Sequence, residues 1–301
     1  MEKKQNGPIF VLLKYRSWRN SFKESMELLF TNIKTFLLSL SLPCLVIGIV
    51  AALFFVAFRS SDGGWAYAEL AISVVIILFC LSAIRETIRL LMLEYSETKN
   101  ITTFNWKRKW KSLMVDALPP FYEMVVQAIL IFLLLAVIIR WNLWYVQLIV
   151  GLVLILLVVP LNIVLNLQHF GQLSLIDAFK RTAKLSLRYF GSTWMLLFVS
   201  IILIALSVCL FFLPVFILNM AISASNAAVL YGDPSDLPSS ILWIHFFLSL
   251  LLISIVSFSA CFWLLPQYFH HFSMMKNEAE REKEEQKRNA TIETYRARIQ
   301  S

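Results

Sequence analysis

The stretch Thr35–Phe58, TFLLSLSLPCLVIGIVAALFFVAF, decides the fold because it is almost wholly apolar and carries no charged residue. About 20 such residues, wound as a helix, cross the roughly 30 Å hydrocarbon core of a bilayer. Inside lipid the backbone must satisfy its own hydrogen bonds, which a helix does. The run is too long for the apolar part of a cleavable signal peptide. It therefore predicts a transmembrane helix that stays in the mature protein.

Five further runs of this kind follow, and the overall composition agrees with them. Hydrophobic residues make up 59% of the 301 positions and charged residues 15%, whereas soluble domains average about 45–50% and about 25%. We predict an all-α polytopic membrane helix bundle with an N-terminal segment (1–34), a membrane domain (35–265) and a charged tail (266–301). The six predicted spans are residues 35–58, 66–84, 117–139, 144–165, 193–218 and 241–265.

Lysine and arginine are divided unequally between the two sides of the predicted membrane. Of the 27 cations, only Arg59 and Arg140 fall on one side. The side rich in cations faces the cytoplasm under the positive-inside rule, so both termini are predicted to be cytoplasmic. The net charge of +8 then indicates contact with anionic lipid headgroups rather than with nucleic acid, for which the sequence holds no motif.

Three basic amphipathic segments each precede a pair of predicted spans. They cover residues 11–33, 106–117 and 176–194, and in each an apolar stripe recurs every three or four positions between cations. This pattern suits a helix lying in the membrane interface. The alternative is that each segment is the cytoplasmic end of a span helix, packed on its neighbours. The cations expected to contact anionic headgroups are Arg19, Lys23, Lys107, Arg108, Lys109, Lys180, Arg181 and Lys184.

Two of these segments suggest an internal repeat. The residues Phe22-Lys23-Glu24-Ser25 resemble Phe179-Lys180-Arg181-Thr182, and at the same offset Leu28 corresponds to Leu185. These matches predict a repeated unit of one interfacial helix followed by a hairpin of two spans.

The tail from Lys276 to Ser301 mixes cations and acids and holds few apolar residues. Such a composition predicts a solvated helix or a disordered segment. Ile292, Tyr295 and Ile299 would share one face of a helix there, which a partner protein could bind.

Among the polar side chains inside the predicted spans, four are candidates for a site, because a polar group is costly there and often functional. Glu123 lies about one turn into the third span, with Gln127 a turn further. The carboxylate could bind a proton or cation, or it could lie at the interface beside a cation. Asn162 and Asn166 lie four positions apart in the fourth span and could line a polar path or hydrogen-bond to a neighbouring helix. These four residues form the candidate intramembrane polar site.

Motifs of nucleotide-binding proteins, metalloproteases and serine hydrolases do not occur in the sequence, so no catalytic residue is assigned. Neither a cysteine pair nor a histidine spacing indicates a metal site, and no cofactor is expected. Cys44, Cys80, Cys209 and Cys261 all fall in apolar runs, where free cysteine packs as a small hydrophobic side chain.

The segment from Pro160 to Trp194 places a proline near the end of a span, then the polar residues Asp177-Ala178-Phe179-Lys180-Arg181-Thr182, then an aromatic-led span. With Ser21-Phe22-Lys23, this resembles a group of poorly characterised bacterial six-span membrane proteins, which includes the membrane portion of some glycerophosphodiester phosphodiesterases. This resemblance leads us to expect serine at the position that Thr182 occupies. The resemblance implies six spans with interfacial helices in a bacterial inner membrane. It implies no activity, because this chain has no counterpart of the phosphodiesterase domain.

These features favour a non-enzymatic scaffold, assembly factor or lipid-associated protein acting at the cytoplasmic face. Its expected partners are anionic membrane lipids and a cytoplasmic or membrane protein. A small-solute transporter or channel is the alternative. A lipid-active membrane enzyme is a third hypothesis, which would require a cluster of acid, base or nucleophilic side chains at one site.

Overall fold

The computed structural model describes residues 16–57, 64–98, 101, 116–122, 124–126, 128–129, 175–231, 238 and 240–300. In these residues the regular secondary structure is helical, without strands, so the predicted all-α class is confirmed for this part of the chain. The helices are α1 (Trp18–Thr31), α2 (Ile33–Ala57), α3 (Gly64–Thr98), α4 (Leu175–Leu230), α5 (Ile241–Phe258) and α6 (Cys261–Gln300).

Four helical segments in these ranges are long and apolar enough to cross a membrane. They are Ile33–Phe55, Ala68–Ser96, Leu185–Val229 and Ile241–Thr294. They correspond to the first, second, fifth and sixth predicted spans. The fourth predicted span and most of the third lie outside the described residues, so the total of six stays a prediction.

The helices extend beyond the apolar runs that predicted them. α3 continues past the second predicted span to Thr98, and α4 begins before and ends after the fifth. Residues 219–230, which fall between the fifth and sixth predicted spans, are therefore helical. At 1.5 Å per residue the 56 residues of α4 measure about 84 Å, more than twice the hydrocarbon thickness. Hydropathy marks only the part of a helix that meets lipid, because the backbone hydrogen bonds continue equally well into water.

The sixth predicted span is built from two helices. α5 ends at Phe258, and a turn follows in which amides bond to carbonyl groups three residues back. The Ser259 N–H donates to the Val256 carbonyl at 2.9 Å, and the Ala260 N–H donates to the Ser257 carbonyl at 3.2 Å. α6 then runs without interruption to Gln300, so the charged tail adopts the helix that was one of its two predicted states.

α2 lies between α5 and α3, with its most extensive packing against α5. Phe36 of α2 and Ile84 of α3 are fully buried in one apolar cluster. Gly48 brings α2 very close to α5, because a Cβ at this position would lie 2.5 Å from the Leu250 carbonyl oxygen and closer still to Ser254 Oγ. Small residues at such crossings let membrane helices pack backbone to backbone.

The cysteines are all free thiols. Cys44, Cys80 and Cys261 come from three different helices and are buried in the apolar cluster that includes Phe36 and Ile84. Cys209 of α4 is exposed.

Candidate functional site

Residues 265–274 of α6 are all buried, although they include polar and ionisable side chains. A helix buried on every face must be surrounded by other elements, and α1, α3 and α4 pack around this one. We call this region the polar head. It comprises α1, residues 85–98 of α3, residues 175–193 of α4 and residues 265–278 of α6. The positive-inside rule predicts that the polar head lies on the cytoplasmic side.

Arg16 fixes the start of α1 to α6 through both its backbone and its side chain. Its N–H donates to Ser273 Oγ at 2.8 Å, and the same hydroxyl donates to the Arg16 carbonyl at 3.0 Å. The Arg16 Nε donates to Glu24 at 2.6 Å, and the guanidinium lies over the Phe269 ring, 5.2 Å from its centroid. Only 5% of the Arg16 side chain is exposed. The residue is therefore structural and is not available to bind lipid.

The face of α1 that packs on the bundle is small and partly polar, which the apolar stripe did not predict. Ser21, Ser25, Leu28 and Leu29 are its buried residues. The aromatic and apolar side chains of the predicted stripe are mostly only half-buried, on the flank of this face. Serine side chains are short, so they let α1 approach α6 closely. The flank then remains only half-buried.

Replacing Ser25 by leucine should therefore loosen α1. Ser25 is completely buried, and an inserted branched side chain would push α1 away from α6 at an expected cost of about 1–3 kcal/mol. The free energy of unfolding in mixed detergent micelles measures this cost. Glu27→Leu is the control, because Glu27 lies on the exposed face of the same helix. Equal effects of the two substitutions would contradict the packing described here.

α4 is held to α6 by a polar cluster of side chains. Arg188 Nη1 lies 2.5 Å from Glu278 Oε1, and the Tyr189 hydroxyl donates to the same oxygen at 3.1 Å. Further along, His270 Nε2 lies 3.3 Å from Ser192 Oγ and 3.2 Å from Thr193 Oγ1. No periodicity or motif in the sequence indicated these pairs, since they join positions about 80 to 90 residues apart.

α3 contributes a buried acid to the polar head. The Glu86 side chain is fully buried, and Arg89 donates its Nε to both carboxylate oxygens, at 3.0 and 2.9 Å. The Tyr268 hydroxyl of α6 donates to the Arg85 carbonyl at 3.3 Å. Of these contacts the Tyr268–Arg85 hydrogen bond joins α6 to α3, whereas the Glu86–Arg89 pair braces α3 and the Arg16–Glu24 pair braces the start of α1.

The predicted lipid-contacting cations are placed only in part. Arg19 and Lys23 of α1 and Lys180 of α4 are exposed. The side chains of Arg181 and Lys184 lie outside the described residues, although their backbone belongs to α4. The predicted residues that lie entirely outside the described part are Lys107, Arg108, Lys109, Glu123, Gln127, Asn162 and Asn166. The described ranges contain no group of three or more histidine, cysteine or acidic residues that could hold a metal ion.

The two basic segments that the structure describes differ in form. α1 is a separate helix, with Ser17 accepting a hydrogen bond from the Asn20 N–H at 3.3 Å at its start and a break at Asn32 before α2. The segment 176–194 is instead continuous with the fifth predicted span inside α4. The first segment is thus separated from its span helix by one residue, Asn32, whereas the second runs directly into its span helix.

The predicted repeat can be compared at two pairs of positions in these segments, and the repeat itself stays a prediction. Ser25 and Thr182 are both buried, and so are Leu28 and Leu185. Both segments pack on α6. Equivalent positions of the predicted repeat therefore have equivalent burial, although the middle unit lies mostly outside the described residues.

Comparison of the chain with protein family models, with curated proteins and with solved structures gives no match. The resemblance to bacterial six-span membrane proteins therefore stays a prediction. The function has to be inferred from the residues of the polar head and of the membrane helices.

Proposed function

We propose that this protein is a non-enzymatic membrane scaffold whose polar head binds anionic lipid headgroups on the cytoplasmic side of a bacterial inner membrane. The observation that carries the proposal is the division of cations in the polar head. Arg16, Arg89 and Arg188 form ion pairs that join or brace the helices. Arg19 and Lys23 point outward on α1 and make no ion pair with any residue that the structure describes.

The surroundings of these two cations support a lipid ligand. Trp18 is half-buried at the start of α1, and the Arg19 guanidinium lies 5.4 Å from its ring centroid. Tryptophan favours the headgroup level of a bilayer, where its ring is partly in hydrocarbon and partly wet. Further along the exposed side, Phe30 is 59% exposed, close to Lys34. An outward face that alternates cations with large apolar groups suits an anionic membrane surface better than open water.

Neutralising the exposed cations with Arg19→Gln and Lys23→Gln should weaken the selection of anionic lipid. Each basic residue near an anionic surface contributes about 1 kcal/mol, so the pair is worth about 2 kcal/mol, or roughly 30-fold in relative association. The measurement is native mass spectrometry of the protein released from nanodiscs that hold equal amounts of phosphatidylglycerol and phosphatidylcholine.

The matched control is Lys287→Gln with Arg288→Gln, which removes two exposed cations from the distant tail. We expect this control to keep the lipid preference of the unmodified protein. An unmodified protein that takes up both lipids equally would overturn the proposal. A control as impaired as the α1 variant would show that net charge alone, and not the α1 surface, sets the preference.

Small-solute transport is the second candidate, and one observation favours it. His245 of α5 is only 1% exposed although it lies within an apolar span, and Ser249, one turn further, is completely buried. The His245 ring meets the Phe55 ring of α2 edge to face at 5.9 Å. Buried ionisable groups inside membrane spans often mark solute or proton paths. A flux into reconstituted vesicles that His245→Phe abolishes would favour transport over the scaffold.

A further inference from the structure

The last part of α6 is a projecting helix. Residues 279–294 are all exposed, whereas Glu278 just before them is buried against α4. The helix is continuous from Cys261 and its one proline, Pro266, lies just after the predicted sixth span, so residues 267–300 continue as one helix beyond that point. At 1.5 Å per residue, Lys287 lies about 33 Å beyond Leu265 along this helix, and Gln300 lies about 52 Å beyond it.

Charge is segregated along this projecting helix. The segment 280–285 holds Glu280, Glu282, Glu284 and Glu285 against two cations. The segment 287–300, which we call the tip, holds four cations against the single acid Glu293. In the first segment oppositely charged side chains recur three or four positions apart, a spacing that supports a helix without a partner. The Lys276–Glu280 pair, at 3.6 Å, begins this pattern.

The tip differs from the first segment because it also carries apolar residues in helical register. Ile292 is 40% exposed, and positions 295 and 299, occupied by Tyr and Ile, recur three and seven residues later. Anchors with this spacing are typical of helices that bind in an apolar groove of a partner protein. Arg288 and Arg296 lie four residues on either side of Ile292, so the helical register places them beside the anchors.

We propose that residues 280–286 are a rigid spacer and that the tip binds, as a helix, to a protein groove with an apolar floor and acidic rims. The inference rests on the proposed scaffold function and names the protein partner of that scaffold. The apolar positions supply burial, and Arg288 and Arg296 beside them supply charge complementarity and orientation. The spacer holds the bound protein at a distance from the membrane surface.

Two other occupants fit the geometry less well. The headgroup layer extends only about 5–8 Å beyond the hydrocarbon, and physiological salt screens surface charge within about 8 Å. A tip that starts about 33 Å along α6 from the predicted span meets its own membrane only where α6 lies along the surface. A helix lying there presents an apolar stripe to the lipid, and residues 279–291 hold no apolar side chain larger than alanine. A second copy in the same membrane would place one basic tip beside another, where like charges repel.

The test is photo-crosslinking in native membranes, with benzoylphenylalanine placed singly in the full-length chain. The test positions are 292, 295 and 299, and the controls are Ala290 and Ala297, which the helical register places on the opposite side. We expect one acidic protein to be crosslinked from all three test positions and from neither control. Arg288→Glu with Arg296→Glu should lower the yield about tenfold, as loss of about 1.4 kcal/mol would. Lys287→Glu with Arg298→Glu changes the net charge equally away from the anchors and should leave the yield nearly unchanged.

Adducts with lipid, with a second copy or with nucleic acid would overturn the inference, and so would equal yields on both sides of the helix or none at all. These results are independent of the lipid preference set by Arg19 and Lys23. A failed crosslinking pattern with intact lipid selection would remove the tip partner and keep the scaffold proposal. Loss of lipid selection with an intact crosslinking pattern would remove the lipid-binding scaffold proposal and keep the tip partner.

Discussion

Gly48→Leu should lower the free energy of unfolding of the membrane bundle by about 3 kcal/mol, at the upper end of the usual cost of overpacking. At this position even a methyl group would meet the Leu250 carbonyl oxygen at 2.5 Å and Ser254 Oγ more closely. The carbonyl belongs to the backbone of α5 and cannot rotate away, so α2 and α5 would have to separate. Their contact is the most extensive between helices of the described chain. Titration with a denaturing detergent in mixed micelles measures the loss.

The control for Gly48 is the other helical glycine whose surroundings are described. A Cβ at Gly191 of α4 meets no heavy atom within 4 Å, so Gly191→Ala should stabilise the protein by about 0.5–1 kcal/mol through the lower backbone entropy of alanine. Adding Ser254→Gly to Gly48→Ala should restore only part of the stability that Gly48→Ala alone removes, because the Leu250 carbonyl remains. If Gly48→Ala and Gly191→Ala have the same effect, α2 and α5 do not approach as closely as described.

Arg89→Met should destabilise the polar head by about 3 kcal/mol. The substitution removes a bidentate partner of the fully buried Glu86 carboxylate, and a buried charge that loses its partner is costly. Because the Arg89 side chain is only 21% exposed, water can compensate little for the loss. Unfolding of the purified protein in mixed micelles again measures the change.

The double variant Glu86→Leu with Arg89→Met separates the ion pair from simple packing. Buried ion pairs replaced by apolar side chains of similar volume often leave stability unchanged. We therefore expect the double variant to fall within about 1 kcal/mol of the unmodified protein. A double variant as unstable as the sum of the single ones would show that Glu86 and Arg89 act independently.

The sequence alone was sufficient for the elements that depend on local composition. The apolar run at residues 35–58 predicted α2, and the runs at 66–84 and 193–218 predicted parts of α3 and α4. Burial of apolar side chains in lipid requires only the composition of one segment, and the helix follows because the backbone has no other hydrogen-bond partner there. The ends of the helices were wrong for α3 and α4, because hydropathy does not report how far a helix continues into water.

The polar head could be predicted only in outline. The cation count located a basic end of the bundle, and Arg19, Lys23 and Lys180 are exposed there. The sequence could not show that Arg16 is buried while Arg19 is exposed, although both belong to one basic segment. The difference arises because Arg16 lies before α1 and is held against α6 by Ser273 and Phe269, residues far away in the chain.

The sequence by itself thus determined the helical class of the described part of the chain, the segments that are apolar enough to cross a membrane and the clustering of positive charge between them. Hydropathy and charge are properties of neighbouring residues in the chain, so they can be evaluated without knowing which distant residues are in contact. Only the tertiary structure decided which ionisable groups are paired inside the polar head, that Gly48 lies at the α2–α5 crossing, and that α6 continues as a projecting helix. The burial of the paired groups and the α2–α5 crossing depend on residues far apart in the chain and on how each helix is rotated about its axis, and one residue of register changes that rotation by about 100°. The projecting helix depends on where α6 leaves the packing of the other helices.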